Sequence, residues 1–275
     1  MYTRLQLGGP AEFFVEPATE NDLVAVLKQC RSEKIHVHLL GIGSNLLVSE
    51  KGVAGAVISL LNPVFCGISV DGDRVSAGAG AKLGQVITQA VSQGLGGIET
   101  LIGIPGSLGG ALCGNAGTNN GNLGQWVESV KVADLSGNIS TLSKNEITFA
   151  YRSSSLDEAV ILSATLRLEK EEPLELAKRM QKHWIVRKTQ QPAGESVSAF
   201  AFKNPSTGTL AEHLIEQAGL KGTRIGGASI SECNAGFIVI EPEGTANDVL
   251  RLIRLVQDEV CNLTEVQLEP ALEIW

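Results

Sequence analysis

A chain of 275 residues, 43% of them hydrophobic, is long enough for two or three compact units with cores of their own. Its formal net charge of -8, with no basic run, argues against a nucleic-acid partner. No stretch reaches the roughly 20 apolar residues of a membrane span, no apolar signal-peptide core opens the chain, and the 5 cysteines lie far apart without a C-x-x-C, so the expectation is a cytoplasmic protein with reduced thiols.

In chain order, Leu7-Gly8-Gly9-Pro10-Ala11 leads into a short apolar strand, Phe13-Phe14-Val15. Thr19-x-x-Asp22 has the form of a capping box, and Leu23, Val26 and Leu27 follow on one helical face. Ile35 to Leu40 reads as a strand running into Gly41-Ile42-Gly43-Ser44-Asn45-Leu46-Leu47-Val48, a glycine-rich turn carrying a hydroxyl and an amide. His36 and His38 share a strand face, but with no third ligand nearby no metal site is expected. Val57 to Leu61 is a buried strand, and Ile68 to Ser76 reads as a hairpin across Asp71-Gly72. Leu83, Val86, Ile87, Ala90 and Val91 have helical spacing, with Gly94 as the stop.

Gly103 to Gly117 then packs six glycines and one proline into fifteen residues. Glycines let the backbone wrap closely around a ligand, and oriented N–H groups make an anion cradle, to which Ser107 adds a hydroxyl and Asn115 an amide. No lysine follows the glycines as in a P-loop, so a pyrophosphate ligand bound in another way is what remains beside a plain surface turn. Val130 to Leu135 and Ile139 to Leu142 form a second hairpin, and Val160 to Leu168 one more strand. Glu172 to Lys188 reads as a charged amphipathic helix ended by Pro192. Beyond it come a helix from Thr209 to Gln217, a strand from Phe237 to Ile240, a helix capped by Thr245-x-x-Asp248 and a last strand, Val266 to Leu268. Hairpins with few helices indicate an α+β chain rather than an alternating Rossmann sheet.

The order of these motifs resembles the UDP-N-acetylenolpyruvoylglucosamine reductase family. It rests on the two glycine-rich turns, on Leu7 to Ala11, Tyr151-Arg152-Ser153-Ser154, Gln191-Pro192, Phe202-Lys203-Asn204-Pro205, Ala218-Gly219-Leu220-Lys221-Gly222 with Ile225-Gly226-Gly227-Ala228, and Leu268-Glu269-Pro270. The absence of an inserted loop in the C-terminal half resembles the shorter of the family's two types. The resemblance implies an α+β protein with an FAD-binding fold of the vanillyl-alcohol-oxidase/p-cresol-methylhydroxylase type and a small C-terminal α+β substrate domain. It divides the chain into FAD-binding subdomains at 1–62 and 63–171 and a substrate-binding domain at 172–275.

It further implies non-covalent FAD held by Gly41, Gly43, Ser44, Asn45, Leu46, Gly103, Ile104, Pro105, Gly106, Ser107, Gly110, Asn115 and Gly117. NADPH is then the co-substrate, a UDP-sugar the substrate, and a monomer the expected state. In the family a hydride passes from NADPH through the flavin to an enolpyruvyl ether, in the synthesis of peptidoglycan precursors. Arg152 is similar to the family's arginine at the substrate carboxylate, with Tyr151, Lys203 and Asn204 at substrate-facing positions.

Two catalytic positions of the family pattern are changed. Phe200 stands where a Ser or Cys proton donor is usual, and Ala271 where a C-terminal Glu is usual; Cys233 and Asn234 also replace a Lys and a His. Ser198 and Glu273, each two residues away, are the candidate substitutes, displaced by about 6–7 Å along an extended strand. A flavoprotein that binds FAD, with or without a UDP-sugar, as a sensor or carrier is the alternative to a full reductase.

Overall fold

The computed structural model describes residues 2–118, 120–192, 197–206 and 208–275. Contacts divide the chain into two units, each assembled from separate segments: a larger one of Glu12–Ile42 and Ala54–Val186, and a smaller one of Met1–Ala11, Gly43–Val53 and Arg187–Trp275. The contiguous segments 1–62, 63–171 and 172–275 cut the chain differently, since the turn after Leu40 is divided between Ile42 and Gly43 and a later change-over falls at Arg187, inside the helix Pro173–Gln190. Among the described residues no helix is long and apolar enough to cross a membrane.

In the larger unit, helix α1 (Glu20–Glu33) starts as its sequence dictates: Thr19 Oγ1 accepts the Asp22 N–H at 3.1 Å and donates to the Asp22 carboxylate at 2.8 Å. Leu23 and Leu27 pack with Ile58, Leu60 and Phe65 beside a three-stranded sheet in the order Ala11–Val15, Val53–Ser59, Val37–Leu40. A five-stranded antiparallel sheet runs Ile139–Ser143, Val127–Ala133, Val160–Arg167, Arg74–Gly78, Ile68–Asp71. Its hairpins are the two that the sequence signals, with Gly72 and Gly137 in the left-handed conformation at their turns. Helix α2 (Leu83–Ser92) buries the five apolar residues spaced for it, and Gly94 follows at φ +71°. The glycine-rich stretch contains an element its composition hides. Helix α3 (Leu108–Cys113) forms despite Gly109 and Gly110, because Leu108, Ala111 and Leu112 are buried in the same core as α2. Helix α4 (Pro173–Gln190) is the long charged helix expected.

In the smaller unit, helices α5 (Ala211–Gln217) and α6 (Ala246–Thr264) share a core with one face of a four-stranded antiparallel sheet, ordered Val197–Phe200, Phe237–Ile240, Ala228–Ile230, Arg224–Ile225. Ala199, Ile238, Ile240 and Ile230 point into that core; Phe200, Phe237, Val239 and Ser229 alternate with them and are only half-buried. The strand expected at Val266 to Leu268 does not form. Leu268 is buried and its carbonyl accepts from Gln257 Nε2 at 2.8 Å, so that segment is satisfied by a side chain of α6. The pairing falls later, where Glu273–Ile274 runs parallel to Leu46–Leu47 and Pro270 bridges Phe202.

Candidate functional site

Within the larger unit, Gly41, where the first glycine-rich turn begins, meets the second. A β-carbon on Gly41 would stand 2.3 Å from Ser107 Oγ, so the end of the first turn's strand lies directly on the second turn. Gly103 and Gly106 take φ +81° and +155°, a path closed to other residues. Among the described residues the N–H groups of Gly103, Gly106 and Ser107 have no acceptor within the protein, while the neighbouring N–H groups of Leu108 and Gly109 are taken by Ala81 and Ala79 carbonyls at 2.8 Å. Ser107 is buried and caps α3 through the Gly110 N–H at 3.4 Å. A cavity of about 740 Å³ opens beside the turn, lined by Ile42, Gly103, Ile104, Pro105, Gly106, Lys82 and the polar side of α2. Donors without protein acceptors and a Cβ-free backbone beside a cleft fit an anionic, elongated ligand such as FAD.

Other cofactor positions are placed differently. Asn115 is 5% exposed and both ends of its amide are engaged: Nδ2 donates to the Ala150 carbonyl at 2.9 Å, and Oδ1 accepts the Gly124 N–H at 3.0 Å. Gly117 pairs with Asn122 in a small two-stranded sheet and would clash with it if it carried a side chain.

Arg152 lies in the same unit as Gly41 and the second turn, on the hairpin Phe149–Ala150/Ser153–Ser154, whose two turn residues are Tyr151 and Arg152. Its φ of +58° is uncommon for a residue with a long side chain and indicates a conformation held by its surroundings. The guanidinium lies 5.9 Å from the Tyr151 ring centroid, a cation–π distance. It is half-buried, and among the described residues no carboxylate pairs with it. A cation so placed suits an incoming carboxylate.

The smaller unit holds Gly43, Ser44, Asn45 and Leu46, against its own C-terminal segment. Gly43 takes φ +60°, and Asn45 Nδ2 donates to the Ala271 carbonyl at 2.6 Å while its own carbonyl accepts the Glu273 N–H at 2.9 Å. Ala271 in turn donates its N–H to the Ala201 carbonyl at 2.8 Å. The two departures from the family pattern therefore lie on adjoining backbone segments, with Phe200 next in sequence to the residue that Ala271 binds. The Phe200 ring meets Phe237 edge to face, with centroids 5.5 Å apart. Ser198 stands opposite Val239 in the sheet, and its side chain lies outside the described part of the structure. Glu273 is exposed, with Oε1 accepting from Trp275 Nε1 at 2.8 Å. Lys203 makes a loose ion pair with Glu269 at 3.5 Å, and Asn204 Oδ1 caps α5 through the Ala211 N–H at 3.0 Å.

Sequence reasoning missed two supporting groups. Ser154 is buried and donates to the Cys113 carbonyl at 3.0 Å, tying the arginine hairpin to the end of α3. Glu99, only 3% exposed, accepts the Gly97 N–H at 2.6 Å and Arg179 Nε at 2.7 Å, and Arg179 also reaches Glu171 at 2.7 Å. These contacts, first with Glu171 and then with Glu99, push the Arg179 pKa up. Glu99 opens the turn that leads into Ile102 and Gly103, and only its charge amid apolar neighbours marks it in the sequence.

Comparison with known proteins is consistent along the whole length. Residues 11–143 match the FAD binding domain family, and residues 191–275 match the family described as UDP-N-acetylenolpyruvoylglucosamine reductase, C-terminal domain. A UDP-N-acetylenolpyruvoylglucosamine reductase of Rhodopirellula baltica is 37% identical over 271 residues, which are 98% of this chain and 88% of that protein. One of Clostridium botulinum is 38% identical over 275 residues, 99% of this chain and 89% of that protein. The crystal structure of the reductase from Thermus caldophilus aligns with a TM-score of 0.84 at 36% identity, covering 100% of this chain and 96% of that one. With this fold, shared with that reductase, and with donor-lined turns that fit FAD, the chain belongs to the UDP-N-acetylenolpyruvoylglucosamine reductase family of FAD-dependent oxidoreductases.

Proposed function

We propose that the protein reduces UDP-N-acetylglucosamine enolpyruvate to UDP-N-acetylmuramate, with NADPH as the reductant, as a monomer in the cytoplasm. The observation that carries this reading is Arg152: a half-buried guanidinium in a left-handed turn, with no carboxylate partner among the described residues, in a chain matched by the family from end to end. Bound FAD supplies the relay of a hydride from NADPH to the enolpyruvyl double bond. The turn N–H groups of Gly103, Gly106 and Ser107 hold the cofactor's pyrophosphate, and Gly41 keeps the approach open. Arg152 grips the substrate carboxylate, with Tyr151 beside it, and balances the negative charge that grows there as the double bond is reduced. In the smaller unit, Lys203 has only a loose ion pair with Glu269 to exchange for an anionic ligand group.

The second carbon of the double bond needs a proton. Neither Phe200 nor Ala271 has one to give, and placed acids are worth about 10²–10⁴ in rate. Those two residues favour the second reading, a flavoprotein that accepts electrons from NADPH and binds its sugar ligand without rapid turnover. Anaerobic reduction by NADPH, followed by flavin reoxidation on adding the enolpyruvyl sugar, decides between them. Fast reoxidation supports the reductase. Reduction without reoxidation leaves the sensor or carrier.

A further inference from the structure

We propose that Asn115 is a positioning residue, which locks the Tyr151–Arg152 turn to the end of the glycine-rich loop and so aims the arginine. The inference rests on the reading of Arg152 as the clamp on the substrate carboxylate. It reassigns an amide that the sequence offers as a cofactor ligand.

The hairpin needs such a lock. It has two cross-strand pairs, Phe149 with Ser154 and Ala150 with Ser153, and a hairpin of that size does not hold itself in water. Its turn also contains Arg152 at φ +58°, a conformation that persists only where the surroundings enforce it. Both ends of the Asn115 amide bear on this element. Nδ2 donates to the carbonyl of Ala150, the residue before the turn, at 2.9 Å. Oδ1 accepts the N–H of Gly124 at 3.0 Å, and Gly124 is the floor on which the Phe149 ring rests, since a β-carbon there would stand 2.4 Å from Phe149 Cγ. Asn115 itself takes φ +40°, where asparagine is among the better tolerated side chains, and its N–H bonds the Leu112 carbonyl at 3.1 Å as α3 ends. Ser154 adds a second staple to Cys113, on the same helix end. Cofactor loop, α3 and arginine turn are therefore one hydrogen-bonded piece.

A bidentate guanidinium clamp depends on direction, so loosening the turn weakens carboxylate binding without touching the groups that hold the flavin. The test uses FAD-loaded protein and titrates UDP-N-acetylglucosamine enolpyruvate against the flavin absorbance. Asn115→Ala is expected to raise the dissociation constant about tenfold, equivalent to about 1.4 kcal/mol. Asn115→Asp keeps the acceptor for Gly124 but loses the donor to Ala150, and is expected to weaken binding as well. The FAD release rate should match wild type in both. Asn115→Ala with Arg152→Ala together should bind no more weakly than Arg152→Ala alone, because one acts through the other. Hydrogen exchange should show protection lost selectively across residues 149–156 in Asn115→Ala.

Unchanged sugar binding in Asn115→Ala overturns the proposal. So does rapid FAD release, which makes Asn115 a cofactor ligand, and so does an additive double variant, which makes its role merely structural. If Arg152→Ala leaves the titration unchanged, or wild type gives no response to the sugar, the clamp reading of Arg152 fails. Hydrogen exchange then decides the lock: selective deprotection of 149–156 supports it, and retained protection overturns it.

Discussion

The Phe200 ring lies 2.9 Å from the point where a β-carbon on Gly236 would stand, so the two residues are matched in size. Gly236 does not adopt a positive φ, and its backbone would accept any residue. Space excludes a side chain there: the Phe200 ring, Asn234 Oδ1 at 3.0 Å and Glu212 Oε2 at 3.4 Å. Gly236 also donates to that Asn234 oxygen at 2.7 Å and accepts from Ala201 at 2.8 Å, so it cannot shift aside. Gly236→Ala should destabilise the wild type by about 1–2 kcal/mol through overpacking. In a Phe200→Ser background the same change should cost little, with a coupling of about 0.5–3 kcal/mol in a urea-denaturation cycle. Additive costs would show that the ring moves freely away.

The backbone bond between Ala271 and Ala201 sets a second expectation, about chemistry. Because the two acid-free positions adjoin, Phe200→Ser and Ala271→Glu should speed reoxidation of the reduced flavin by the enolpyruvyl sugar. Each restored acid is worth up to about 10²–10⁴, and the pair is expected to be more than additive. Reduction by NADPH should be unchanged. Stopped-flow absorbance reads both steps. Efficient wild-type turnover that is lost on Ser198→Ala or Glu273→Gln would assign the proton to the displaced groups instead.

Removing Arg179 should expose how the approach to the cofactor turn is held. Its partner Glu99 has a side chain only 4% exposed, so Arg179→Met leaves a buried carboxylate without its cation. Arg179 itself is 40% exposed, which screens the pair and moderates the loss to about 1–3 kcal/mol. Glu99→Gln should cost less, since an amide oxygen still accepts the Gly97 N–H. Chemical denaturation of the three proteins gives the ranking, and equal stability of all three would refute it.

Acid should weaken the smaller unit through Asp248. Its carboxylate accepts from the Thr245 N–H at 3.1 Å and the Gly227 N–H at 3.3 Å, and these bonds with the Thr245 hydroxyl, which contributes most, hold its pKa below the usual value. A depressed carboxyl pKa contributes stability fully above the unfolded value near 3.8, and that contribution fades as pH falls through the native value. Asp248→Asn should therefore lower stability at neutral pH by about 0.5–2 kcal/mol, as for a lost cap. The gap from wild type should close as pH drops below about 4. A gap independent of pH would assign the effect to geometry instead of charge.

Much of the local architecture is legible because its causes lie within a few residues. Thr19 and Thr245 cap the helices they precede, Asp71-Gly72 turns its hairpin, and the apolar stripe of α2 is buried residue for residue. The unusual backbone of the glycine-rich turns is legible for the same reason, since the residue type itself opens the positive-φ conformations of Gly43, Gly103 and Gly106. Helix α3 is not, because its glycines argue against a helix and burial of Leu108, Ala111 and Leu112 in a distant core outweighs them.

By itself, then, the sequence determined most of the order of elements and the two glycine-rich turns, which depend on residue type and near-neighbour spacing. Only the tertiary structure decided what each polar side chain does. Asn115 bonds a carbonyl 35 positions away, Glu99 meets Arg179 across 80, and Asn45 reaches Ala271 across 226. An amide carries the same donors and acceptors whether it faces a ligand or a backbone carbonyl, and no local pattern records which one folding brings within 3 Å. The strand expected at Val266 to Leu268 fails on the same ground: its partner is a glutamine of α6, and the ladder closes instead between Glu273–Ile274 and a turn at the other end of the chain.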